Sequence, residues 1–102
     1  ALRRDSGNTE IMLRMARVHL LLGQSSLAHR ALRNVLEREP DNVEALVMLS
    51  YACGESGRYD EAVALAQRAL KVDPTNATAR DLRYLYSRLS AGASGRRGET
   101  QP

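Results

Sequence analysis

The groups in this chain best suited to chemistry are one thiol and one imidazole, Cys53 and His19, which stand 34 positions apart. Thiolate and imidazole are the ligands of zinc sites, and a Cys–His pair can also form an activated nucleophile. A metal would need two further ligands. The second histidine, His29, belongs to a different helical pattern that places it toward solvent, and no fourth donor stands out. A nucleophile pair would need a third group to orient the base and a device to hold an oxyanion, and neither is evident. The residues therefore support core filling with polar tips. No metal, cofactor or catalytic residue is expected, and the chain does not read as an enzyme.

Other candidates resolve the same way. Gly23 and Gly57 fall where helices stop, and Gly92, Gly95 and Gly98 fall in the C-terminal tail, so no phosphate-cradling loop is present. Asp60 and Glu61 open a helix, where they favour its positive end rather than acting as an acid–base pair. Tyr59 sits in a turn between paired helices and reads as packing, while Arg96-Arg97 is a basic doublet in the tail. The formal net charge is +3, but the 15 basic residues, all arginine except Lys71, are interleaved with acids along the whole chain. That pattern argues for a mixed solvated surface and against a nucleic-acid stripe. No apolar run approaches the roughly 20 residues that a membrane-spanning helix needs. A single cysteine excludes an internal disulfide and is compatible with a reducing compartment. The localisation stays unknown on these grounds, with the cytoplasm favoured.

The elements that must position these residues follow from composition and spacing. The chain is 43% hydrophobic but 4% aromatic, without Trp or Phe, so its core must be Leu, Ala, Val and Met, which favour helix. Shifting the sequence by 34 residues lays Pro74 on Pro40, Gly57 on Gly23 and Ala62 on Ala28. Such a period implies helix pairs that bury their apolar faces only by stacking on copies of themselves.

Five helices are predicted. The first, over 9–22, is capped by Asn8 or Thr9, with Ile11, Met12, Met15, Ala16, His19 and Leu22 as its inner face. The second runs from a Ser25 or Ser26 cap to about Glu39, with Leu27, Ala28, Ala31, Leu32, Val35 and Leu36 inward. The third, over 43–56 after an Asp41-Asn42 cap, buries Leu46, Leu49, Ser50 and Cys53. The fourth, over 59–72, buries Ala62, Leu65, Ala66, Ala69 and Leu70. The fifth, about 77–90, is capped by Asn76 and has Leu82, Leu85, Tyr86 and Leu89 on one face. Residues 1–8 match residues 69–76 at Ala, Leu, Asp and Asn, so they read as the end of a preceding repeat or as a flexible arm. Residues 92–102 read as a disordered tail.

At these positions the chain resembles the tetratricopeptide repeat family. In residues 43–76, Leu46 stands for the family's first large residue, Leu49 matches, Ser50 replaces Gly and Cys53 replaces Tyr, while Ala62, Ala69 and Pro74 match. In residues 9–42, Met12, Met15, Ala16, His19, Ala28, Val35 and Pro40 hold those places. The resemblance implies an all-α fold, a right-handed α–α superhelix (solenoid) of two helix hairpins with residues 77–91 as a C-terminal capping helix. It implies a protein-binding adaptor or scaffold whose concave groove is lined by the first helix of each unit. Carried over by position, the groove comprises Glu10, Leu13, Arg14 and Arg17, then Val47, Met48, Tyr51 and Glu55, then Thr78, Asp81, Leu82 and Leu85. The family's clamp for chaperone carboxy-termini needs Lys, Asn, Asn, Lys and Arg. Its sites hold Leu13, Arg17, Met48, Thr78 and Leu82, none of which fits.

Two functions are compatible with this groove. One is capture of an extended or helical peptide of a partner protein, with an acidic residue near Arg14 and Arg17, since guanidinium forks suit carboxylates. The other is assembly: edge-to-edge packing with other repeats, in a longer chain, a complex or a homo-oligomer. An uncovered apolar flank on residues 9–22 would serve that role. Protein or peptide partners are expected under both, and neither nucleic acid nor direct membrane insertion.

Overall fold

The computed structural model describes the backbone of residues 2–100 and the side chains of residues 8–92. The elements are α1 (Leu2–Leu21), α2 (Ser25–Arg38), α3 (Val43–Glu55), α4 (Tyr59–Val72) and α5 (Ala77–Thr100), with no strand among the described residues. Consecutive helices pack as neighbours throughout, and α1, α3 and α5 also touch one another in sequence, forming one layer with α2 and α4 behind it. This is a helical repeat solenoid of two hairpins followed by a further helix.

The punctuation that sets this order is local. Gly23 and Gly57 have φ of 76° and 84°, a backbone region open to glycine without a Cβ clash. Each closes its helix identically. The Gln24 N–H reaches the His19 carbonyl and the Gly23 N–H that of Leu20. One period later Arg58 reaches Cys53 and Gly57 reaches Gly54. Both are paired 6→1 and 5→2 bonds that satisfy carbonyls left open at a helix end. At the other end of each unit, Glu39 and Asp73 leave the helical region (φ −131° and −133°, ψ 80° and 87°), and the helix cannot continue through Pro40 or Pro74. Asn42 and Asn76 then accept the N–H of Ala45 and of Ala79, each at 2.9 Å. No side chain caps α2, whose N-cap is Gln24 rather than either serine.

The core alternates small and large. Ala16, Ala28, Ser50 and Ala62 are fully buried, so the backbones within each pair come close, and Leu32, Val35, Leu46 and Leu49 fill the volume between pairs. Across the α3–α4 contact the Ser50 hydroxyl donates to the Ala62 carbonyl at 2.7 Å. Tyr86 of α5 is buried, stacks on Tyr59 with ring centroids 5.9 Å apart, and lies against Gly54.

Residues 2–8 are helical and continuous with the rest of α1. Ser6 holds the place of Pro40 and Pro74 and keeps its N–H, so nothing interrupts the ladder there. Helix α5 runs to Thr100, with no proline between Pro74 and Pro102 and no positive φ at Gly92. Residues 1, 101 and 102 of the two terminal segments lie outside the described residues.

The inner face of α1 is Thr9, Leu13 and Ala16, with Met12 and Leu20 partly buried, whereas Ile11, Met15 and Leu22 are exposed. In α3 the counterparts of Ile11 and Met15, Ala45 and Leu49, are buried because α2 packs there, and no described helix covers that side of α1. On α5, Leu85 and Leu89 are likewise exposed.

Candidate functional site

The repeat places residues 17, 51 and 85 at one register on the three helices of the front layer, so Arg17, Tyr51 and Leu85 form a row across α1, α3 and α5. Tyr51 is 41% and Leu85 48% exposed. Glu10, Glu55, Thr78 and Asp81 are exposed on the same helices, and Val47 and Leu82 are half-buried.

Two of the expected groove residues are not available to a partner. Leu13 and Met48 are buried at 6% and 9% exposure and belong to the core cluster. Met48 lies on the central helix of the layer, flanked by α1 and α5, so less of its inner face reaches solvent. The arginines are also engaged. Arg14 pairs with Glu10 at 3.7 Å, one helical turn away, and Arg17 pairs with Glu44 of α3. All four side chains are about half exposed or more, so such pairs contribute little to stability and can be exchanged for a partner's carboxylate. A concavity of about 380 Å³ also lies between α2 and α4, lined by Arg33, Leu36, Glu37, Leu49, Glu61, Ala64, Leu65 and Arg68.

The chemistry-bearing residues also pair differently from expectation. His19 is turned to Gln24, its Nδ1 2.8 Å from Oε1. It is His29 that approaches Cys53, and with Glu61 the three place their donor atoms within 4.8 Å of one another. His29 is half-buried rather than facing solvent, and its Nε2 is buried without a hydrogen-bond partner among the described residues. The signal was its counterpart one period on, the half-buried Val63, which marks position 29 as the flank of the core. Burial, and then the charges of Arg33 and Arg58, hold the His29 imidazole below its ordinary pKa. Burial, reinforced by Glu61, pushes the Cys53 thiol up, the opposite of what an activated nucleophile needs. No helix among the described residues is long and apolar enough to cross a membrane.

This architecture matches known proteins over most of its length. The human, rat and mouse proteins named FK506-binding protein-like are 36%, 39% and 36% identical to this chain over 73, 67 and 73 residues. Those spans are 72%, 66% and 72% of this chain but only 21%, 19% and 21% of the relatives, so the chain spans about a fifth of their length. The tetratricopeptide repeat family matches residues 13–77, from the inner face of α1 through both proline stops to the first residue of α5. With the 34-residue period, the two matching glycine closures and the small residues inside each helix pair, that match establishes that the chain belongs to the tetratricopeptide repeat family.

Proposed function

We propose that the α1–α3–α5 face holds a peptide segment of a partner protein, anchored by apolar side chains on Tyr51 and Leu85. The family is a protein-interaction fold and not a catalytic one, so the chain is a protein-interaction module. The observation that carries the finer reading is the exposed Arg17–Tyr51–Leu85 row, which combines an aromatic anchor, an aliphatic one and a guanidinium. Aromatic and arginine side chains are the types that dominate binding energy at protein interfaces. An acidic residue of the peptide would take Arg17 or Arg14 from Glu44 or Glu10. The pairing of arginines with acids, in these two pairs and in Arg33 and Arg58 with Glu61, supports protein over nucleic acid as the partner.

The test is panning of a random peptide library against the whole chain, followed by affinity measurement on variants. Peptides carrying paired apolar residues and an acid are expected. Tyr51→Ala should weaken them about tenfold or more, the range of an interface anchor, with an unchanged circular dichroism spectrum. Equal affinity for Tyr51→Ala and for Arg17→Glu would remove the groove reading.

A second reading rests on a different observation. Ile11, Met15, Val18 and Leu21 are 59%, 53%, 52% and 81% exposed on the side of α1 away from α2 and α3, an apolar flank suited to stacking against another repeat. Light scattering over a wide concentration range separates the two: a strict monomer excludes self-association through this flank.

A further inference from the structure

His29 of α2, Cys53 of α3 and Glu61 of α4 come from three helices and two repeats, yet their donor atoms share one 4.8 Å neighbourhood. We propose that these three side chains form a binding site for a single zinc-like divalent cation, with water as the fourth ligand.

Three features support it. The donor set is imidazole nitrogen, thiol sulfur and carboxylate oxygen, the combination that suits zinc and excludes calcium and magnesium, which require oxygen ligands throughout. The buried Nε2 of His29 has no hydrogen-bond partner among the described residues, an arrangement that costs free energy unless something accepts or supplies that bond. The charge around the cluster also balances. Arg33 and Arg58 each place a guanidinium nitrogen 3.6 Å from Glu61, and their side chains are 62% and 52% exposed, so both can swing into solvent when a cation replaces them. A thiolate and a carboxylate then neutralise the two positive charges of the metal.

Tetrahedral ligand atoms around zinc, at bond lengths of about 2.0–2.3 Å, lie roughly 3.5 Å apart. The cluster therefore closes by roughly 1 Å on binding, which rotation of the half-buried His29 and Glu61 side chains supplies. On binding, the Cys53 S–H bond breaks, a metal–sulfur bond forms and the proton passes to solvent. The bound ion joins α2 of the first repeat to both helices of the second, so it stiffens the junction between units.

The experiment is titration of the whole chain with cobalt(II), as a spectroscopic probe, under a reductant that does not bind metals, followed by displacement with zinc. One equivalent of cobalt(II) is expected to give a thiolate-to-metal charge-transfer band with tetrahedral ligand-field bands, and zinc to bleach both while raising the melting temperature. Cys53→Ala should abolish the charge-transfer band. His29→Asn and Glu61→Gln should each weaken binding roughly tenfold or more, since loss of even an outer partner of a metal site costs that much. Glu61 is half-buried, so Glu61→Gln tests the site even if a core variant fails to fold. Absence of the charge-transfer band at one equivalent, or an affinity unchanged in His29→Asn and Glu61→Gln, overturns the proposal.

Discussion

The ring of Tyr86 occupies the space into which a Cβ at Gly54 would project: that atom would lie 1.9 Å from Cζ of the tyrosine. Helix α5 thus seats on α3 through a glycine, and the ring also stacks on Tyr59. Gly54→Ala would gain up to about 1 kcal/mol of helix propensity, but it forces apart two packed surfaces, an overpacking that costs about 1–3 kcal/mol. Net destabilisation is expected in thermal unfolding. In a double-mutant cycle, Gly54→Ala should cost less in a Tyr86→Leu background, because the obstructing ring is gone. Additive effects would show that the ring yields freely.

Acid should loosen the contact between α1 and the turn after α2. Thr9 donates to Glu39 Oε2 at 2.6 Å, and Asn42 Nδ2 donates to Oε1 at 3.0 Å. The Thr9 bond first, then the Asn42 bond, hold the Glu39 carboxyl below its ordinary pKa. Its folded pKa is therefore lower than its unfolded one. This contribution to stability is complete above the ordinary carboxylate value and is lost as pH falls through the folded value. Urea midpoints measured from neutral to acid pH should fall for the native chain in that window. In Thr9→Val the fall should be smaller, so the difference between the two proteins should shrink as Glu39 protonates.

Helix capping separates the two kinds of unit boundary. Asn42→Ala and Asn76→Ala each remove an observed bond to the third residue of the following helix, and each should cost about 1 kcal/mol. Ser26→Ala removes an exposed hydroxyl with no capping bond and should change stability by less than about 0.5 kcal/mol. Chemical denaturation of the three variants checks the order. A loss for Ser26→Ala equal to that for Asn42→Ala would place a cap where none is seen.

The period, the stops and the composition of the repeats were readable from residues alone, because they depend on short-range backbone chemistry. Proline removes an N–H wherever it stands, glycine opens the left-handed region, and asparagine before a helix accepts its free N–H groups. The bounds Tyr59–Val72 and the caps at Asn42 and Asn76 follow from such rules, and so does the burial of Leu46, Leu49, Ser50 and Cys53, where the apolar stripe is unambiguous. Tertiary structure decided what depends on neighbours. Helix α1 is apolar around much of its girth, so its sequence offers more than one inner face, and contact with α2 and α3 selects Thr9, Leu13 and Ala16. The same holds for Met48, buried by its place between two flanking helices, and for Arg17, joined to Glu44 across a helix boundary. His29, Cys53 and Glu61 lie 24 and 8 positions apart in sequence, and no helical periodicity links them. Only the stacking of one hairpin on the next brings an imidazole, a thiol and a carboxylate into one place.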